Sequence, residues 1–78
     1  MDYIERLKSA IAKSKAAGFE TEANALEVAC FGIAYTTSSE LLGEHRLAIQ
    51  RFLKATRGAL PRSIKARLKE CLAETRRV

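Results

Sequence analysis

Residues 38–72 read SSELLGEHRLAIQRFLKATRGALPRSIKARLKECL, and this stretch decides the fold. It contains two largely apolar runs at the spacing of an amphipathic helix, separated by Gly58 and Pro61. The first run comprises Leu41, Leu42, His45, Ile49, Phe52 and Leu53, and the second comprises Ile64, Leu68, Cys71 and Leu72. Glycine often follows a helix, and proline is well tolerated in a first turn. The stretch therefore predicts one helix from about Ser38 to Arg57 and another that begins at Pro61.

The N-terminal half predicts two further helices. The first covers residues 2–17, where Asp2 and Glu5 have the spacing of a capping box and Gly18 is a natural stop. Its apolar residues at helical spacing are Ile4, Leu7 and Ile11. The second covers residues 21–34, and one of its stripes comprises Ala23, Leu26, Cys30 and Ile33. The whole chain is thus predicted to be helical.

Four helices with short connections predict an all-α protein with a single domain over residues 1–78. Short connections favour antiparallel neighbours, so the predicted architecture is a four-helix up-and-down bundle. A chain of this length buries only about 60% of its unfolded surface, and its core is correspondingly thin. Completion of the bundle by dimerisation is therefore the alternative arrangement.

The end of the second predicted helix suggests a first function. No charged residue occurs between Val28 and Glu40, and a helix end that is apolar all round is usually buried on more than one side. Leu47 falls opposite the apolar stripe of the third helix. We therefore expect a non-catalytic interaction module that binds a protein partner or forms a homodimer. The residues predicted to make this interaction are Val28, Phe31, Tyr35 and Leu47.

The distribution of charge suggests a second function. The net charge is +5, but residues 1–39 carry four basic and five acidic side chains, whereas residues 40–78 carry ten basic and four acidic ones. On the two C-terminal helices, basic residues recur on one face of each helix. If the two faces open to the same side, they form a patch that attracts nucleic acid or another polyanion. The residues predicted to bind it are Arg46, Lys54, Arg57, Arg62, Lys65, Lys69 and Arg76.

The sequence offers no recognisable catalytic arrangement. His45 is the single histidine, and no serine or acid lies within hydrogen-bond reach of it along its own helix. In an antiparallel bundle, Cys30, His45 and Cys71 would come to one level, where two thiols and an imidazole could hold zinc. Zinc ligands usually occur in closely spaced pairs, which are absent here, so packed cysteines and a buried histidine are the simpler interpretation. We expect no enzyme activity, no cofactor, no metal and no small-molecule substrate.

The sequence also favours a cytoplasmic location without a membrane partner. The first residues, MDYIERLKSA, include acids and are followed by no apolar core of a signal peptide. The longest apolar run, residues 28–35, is far shorter than a membrane span. Cys30 and Cys71 are widely spaced, and cytosolic cysteines of this kind are usually reduced and packed, although a disulfide between them stays open.

The segment YTTSSELLGEHRLAIQRFL, residues 35–53, resembles a segment of small uncharacterised bacterial all-α proteins. These proteins combine a turn rich in tyrosine and hydroxyl residues with Glu-Leu-Leu-Gly and an amphipathic helix. The resemblance covers about a quarter of the chain, and it implies a bacterial or phage origin and a helical fold without any mechanism. It would single out Tyr35, Ser38, Glu40 and Gly43.

Overall fold

The computed structural model describes residues 2–32 and 38–76, with the backbone alone described at Ser38. These residues form four α-helices and no strand. The helices are α1 (Tyr3–Ala16), α2 (Glu20–Phe31), α3 (Ser38–Thr56) and α4 (Arg62–Thr75). The all-α fold predicted from the apolar spacing is confirmed. None of the helices in the described ranges is both long and apolar enough to cross a membrane.

The helix ends follow local chemistry. The Asp2 carboxylate accepts a hydrogen bond of 2.9 Å from the backbone N–H of Glu5, which caps the start of α1. After α1 and after α3, Gly18 and Gly58 adopt φ values of +101° and +80°, which L side chains rarely adopt. Pro61 directly precedes α4, one position before its predicted place in the first turn.

The second helix differs from its predicted limits at both ends. It begins at Glu20, one residue early, and its last helical residue is Phe31, which Gly32 follows as the C-cap. A glycine has low helix propensity, so a stop at Gly32 is physically reasonable. The predicted continuation to Ala34 lies outside the described residues, as do Ile33 and Tyr35.

The four helices form a closed ring in chain order. Each helix packs against the next one, and α4 packs against α1, whereas the backbones of the diagonal pairs stay apart in the described residues. Across one diagonal, the side chains of Tyr3 in α1 and His45 in α3 meet. Cys30, near the end of α2, lies beside His45 in the first half of α3. Arg6, near the start of α1, likewise pairs with Glu74 at the end of α4. These contacts place the neighbouring helices antiparallel, as an up-and-down bundle requires.

The core runs along the axis of the ring. Its buried apolar side chains are Leu7, Ala10, Ile11, Ala23, Leu26, Cys30, Ala48, Ile49, Phe52, Leu60, Ile64, Leu68 and Cys71. The predicted stripes account for most of them. Leu60 is an addition, because it belongs to the turn between α3 and α4 and closes that end of the core.

Candidate polyanion-binding face and apolar groove

The flank of α3 that faces α4 is basic. Ala48, Arg51 and Ala55 line a groove with α2, and they therefore mark the α2 side of α3. At 100° per residue, Arg46 lies on the other flank, next to α4, and Lys54 lies on the solvent side between the two flanks. Arg57 follows the last residue of α3 and has a φ of +41°, so the helical spacing does not place its side chain. The three basic side chains are exposed. We call Arg46, Lys54 and Arg57 the α3 row.

The flank of α4 that faces α3 is basic as well. The Arg6–Glu74 ion pair, with 3.3 Å between Nη2 and Oε1, marks the opposite, α1 side of this helix. Lys65, Lys69 and Arg76 lie on the side next to α3, and Arg62 projects towards solvent from the same side. All four have solvent-accessible side chains. We call Arg62, Lys65, Lys69 and Arg76 the α4 row, and the two rows together the basic face.

Most acidic side chains of these helices lie elsewhere. Helical geometry places Glu44 towards α2, and Glu70 and Glu74 towards α1. Glu40 lies near the start of α3, on the solvent-side stripe that also carries Leu47 and Lys54. The ion pairs Arg6–Glu74 and Lys15–Glu27 include no residue of the basic face. These carboxylates therefore do not neutralise the positive potential of the face.

One end of the basic face is concave. A cleft of about 540 Å³ lies beside the turn between α3 and α4. Its lining residues are Gly58, Leu60, Arg62, Lys65, Ala66 and Lys69. Three cations thus surround one depression, where an anionic group would meet several of them together.

An apolar groove of about 350 Å³ runs between α2 and α3. Its lining residues are Thr21, Glu22, Ala25, Leu26, Ala29, Ala48, Arg51, Phe52 and Ala55. Two of the residues predicted to bind a protein lie beside it: Val28, 61% exposed, is one turn beyond Ala25, and Leu47, 41% exposed, is one turn before Arg51. The sequence pattern did not lead to a prediction of this groove, although Ala25 and Ala29 lie four residues apart and therefore share one face of α2.

Phe31 does not lie on the same exposed surface as Val28 and Leu47. Its ring packs against the core and meets the ring of His45 edge to face, with 5.6 Å between the centroids. The Lys8 ammonium lies 5.3 Å from the centroid of the same ring, so Phe31 is directed towards α1. Tyr35, the fourth residue of that predicted surface, lies outside the described residues. The apolar surface is therefore smaller than the sequence pattern indicates.

His45 is fully buried, and both of its ring nitrogens have hydrogen-bond partners. Nε2 lies 2.9 Å from the carbonyl oxygen of Cys30, and Nδ1 lies 2.9 Å from the Tyr3 hydroxyl. A carbonyl only accepts, so Nε2 carries the proton and donates it, and Nδ1 of the neutral ring accepts from Tyr3. Burial lowers the pKa of His45, while the hydrogen bond to Cys30 acts in the opposite direction. This arrangement gives the histidine a structural role that joins α1, α2 and α3.

The two cysteines are buried free thiols. Burial raises the pKa of Cys30 to about 12 and also raises the pKa of Cys71, so both stay protonated and weakly nucleophilic at neutral pH. No group of three or more metal-ligating side chains occurs in the part of the chain that the structure describes. Of the three residues considered as zinc ligands, His45 uses both ring nitrogens in hydrogen bonds, and Cys30 and Cys71 are buried.

Comparison with protein-family models, with curated proteins and with solved structures yields no match. The function has to be argued from the surfaces of the molecule.

Proposed function

We propose that this protein is a non-catalytic binding module that takes a polyanion on its basic face. The observation that supports the proposal is the α4 row, three of whose cations surround one cleft, together with Arg46 on the adjoining flank of α3. Several cations on one side attract a chain of phosphates or sulfates and release its condensed counterions. Binding of this kind needs no reactive group.

The basic face is preferred over the apolar surface for a structural reason. Phe31 is engaged with His45 and Lys8, so the large exposed apolar side chains of the described residues are Val28 and Leu47. Exposed apolar residues in such small number are common on monomeric proteins. An unneutralised set of cations on two neighbouring helices is a more specific feature.

Calorimetric titration with heparin, a generic polyanion, tests the proposal. The variant Lys65→Gln with Lys69→Gln removes two charges from the basic face, and Lys13→Gln with Lys15→Gln removes two from α1. Both variants have a net charge of +3, compared with +5 for the unmodified chain. We expect the first to weaken binding by about tenfold or more at low salt and the second to leave it nearly unchanged. If the two variants lost the same amount of heparin affinity, net charge alone would explain the effect, and a localised binding face would be refuted.

A second candidate function is self-association through the α2–α3 groove, with a second copy of the chain as the occupant. It is favoured by the exposure of Val28 and Leu47 beside an apolar depression whose rim bears Glu22 on one helix and Arg51 on the other. A two-fold interface there would bring charges of opposite sign together. Sedimentation analysis tests it: Val28→Glu should convert a dimer into a monomer, and a monomeric unmodified chain would exclude it.

The proposal also includes a cellular location and an origin. Two buried free thiols fit a reducing compartment, which supports the cytoplasm as the proposed location. A bacterial or phage origin rests on the resemblance of residues 35–53 alone.

A further inference from the structure

We infer that two copies of this chain pair through the outer side of α3, with the two α3 helices antiparallel about a two-fold axis at Leu47. The inference rests on the second candidate function, self-association, and adds the contacting residues and their orientation. It does not depend on polyanion binding.

The outer side of α3 carries a stripe of five exposed residues. Their spacing of four, three, four and three residues is that of a helix side that faces another helix along its length. At 100° per residue, the five side chains lie within an arc of about 80°. The members, which we call the outer stripe, are Glu40, Glu44, Leu47, Arg51 and Lys54. With a rise of about 1.5 Å per residue, the outer stripe is about 21 Å long.

The order of charges along the outer stripe is self-complementary. Two acids lie three and seven residues before Leu47, and two bases lie four and seven residues after it. In an antiparallel pair centred on Leu47, Glu44 therefore meets Arg51 of the second copy. Glu40 likewise meets Lys54 of the second copy. A parallel pair would place like charges opposite each other, so the charges favour the antiparallel orientation.

Val28 adds a second apolar residue at the centre of this contact. The hydrogen bond between Cys30 and His45 fixes the level of α2 against α3. Because the two helices are antiparallel, Val28, two residues before Cys30, lies level with Leu47, two residues after His45. A two-fold axis that crosses α2 and α3 at this level brings Val28, 61% exposed, and Leu47, 41% exposed, against their copies. The contact then has an apolar centre and a charged rim, as protein interfaces commonly have.

The charged members of the outer stripe are available for this contact. The ion pairs of the described residues, Arg6–Glu74 and Lys15–Glu27, include none of them. Exposed ion pairs contribute little each, and the apolar centre is small, so we expect a weak dimer with a micromolar Kd. Lys54, which the sequence pattern assigned to polyanion binding, is then part of the contact between copies.

Sedimentation equilibrium over about 10–500 µM protein tests the inference with two charge reversals. Glu44→Lys places a base opposite Arg51 of the second copy, and Arg51→Glu places an acid opposite Glu44. We expect each variant alone to dimerise at least about tenfold more weakly than the unmodified chain at low salt. An equimolar mixture of the two variants restores both pairs in a heterodimer and should associate about as well as the unmodified chain.

A matched pair of variants controls for net charge. Glu70→Lys and Lys65→Glu lie on α4, away from the outer stripe. Glu70→Lys raises the net charge from +5 to +7, as Glu44→Lys does, and Lys65→Glu lowers it to +3, as Arg51→Glu does. Both controls should dimerise like the unmodified chain, alone and mixed. Circular dichroism checks that all four variants keep their helical content.

Cross-linking tests the position of the axis. Leu47→Cys places a thiol on the axis, beside its copy, whereas the thiols of Lys54→Cys would lie about 21 Å apart along the helices. Diamide oxidises two thiols to a disulfide, and its N=N bond takes up their two protons and two electrons. It should link Leu47→Cys into a covalent dimer and leave Lys54→Cys largely unlinked, because a disulfide needs nearby Cα atoms. Cys30 and Cys71 are buried and do not compete.

The outcomes separate the inference from the functions proposed above. A monomer at every concentration would overturn the inference and the second candidate function, and would leave polyanion binding in place. A dimer that Val28→Glu abolishes and Glu44→Lys leaves intact would overturn the antiparallel contact and keep self-association through the groove. A mixture that associates no better than its components, or Lys54→Cys linked as fast as Leu47→Cys, would also overturn the inferred orientation.

Discussion

Lowering the pH from 8 to 5 should destabilise this protein through one residue, His45. The ring is fully buried between the Tyr3 hydroxyl and the Cys30 carbonyl. Burial raises the pKa values of Tyr3, Cys30 and Cys71, so all three stay uncharged over this range. Protonation of Nδ1 would also remove the acceptor that receives the Tyr3 proton. Glu74, the acid that acts on Tyr3, is paired with Arg6.

The sign and the size of the effect follow from linkage. Because the pKa of His45 is lowered in the folded state, the unfolded chain binds more protons below its ordinary pKa of about 6.5. The contribution of the neutral ring to stability is complete above pH 6.5 and is lost as the pH falls towards the folded pKa. A ring that stayed fully neutral would set the upper limit of the decrease in the free energy of unfolding, about 0.8 kcal/mol at pH 6 and about 2 kcal/mol at pH 5, and a smaller lowering of the pKa gives a smaller decrease.

Urea unfolding followed by circular dichroism at pH 8, 7, 6 and 5 measures this loss, and the variant His45→Gln provides the reference without a titrating group. We expect the pH dependence to flatten in the variant. Since the chain has a single histidine, its resonance also gives the folded pKa directly by NMR, even if the variant folds poorly. A His45 pKa at or above 6.5, or the same pH dependence in both proteins, would refute the reasoning.

Two further predictions concern stability. Gly58→Ala should reduce the free energy of unfolding by about 1–2 kcal/mol, because φ is +80° there, which L side chains rarely adopt, and no atom lies within 4 Å to add a clash. Gly43→Ala should increase the free energy of unfolding by up to about 1 kcal/mol, because Gly43 lies within α3 and also has no atom within 4 Å. Chemical denaturation compares the two variants. If both changed the free energy of unfolding in the same direction, the difference in backbone conformation would be contradicted. Leu68→Ala should cost about 2–5 kcal/mol, because this side chain is fully buried and leaves a cavity. A loss below about 1 kcal/mol in thermal unfolding would mean that the core is not packed as described.

Helix positions and the core face of each helix were predictable because they depend on local chemistry. Asp2 caps α1, Gly18 and Gly58 follow helices, and apolar spacing marks the buried stripe. The end of α2 was less predictable, since the apolar run continues past Gly32 without a charged residue to mark a boundary. Leu60 was missed because turns have no periodicity from which burial can be read.

The basic residues of the candidate site were identified from helical spacing, but their common orientation was not. A helical wheel shows which side of a helix is buried, and it leaves open which flank adjoins which neighbour. That choice depends on the order of the helices around the bundle, and here it puts Arg46 on the flank of α3 that adjoins the α4 row. The same limit applies to Phe31, which the pattern assigned to an outer apolar surface and the fold directs towards His45.

The sequence by itself therefore determined an all-α chain, its helices, most of its core and the excess of positive charge in its C-terminal half. These properties follow from backbone propensity, capping and periodicity, which act over a few residues. Only the tertiary structure decided that three cations of α4 surround one cleft, that an alanine-lined groove lies between α2 and α3, and that Tyr3 bonds to His45 across 42 residues of chain. Such contacts depend on how four amphipathic helices surround one core, which is a property of the assembled bundle.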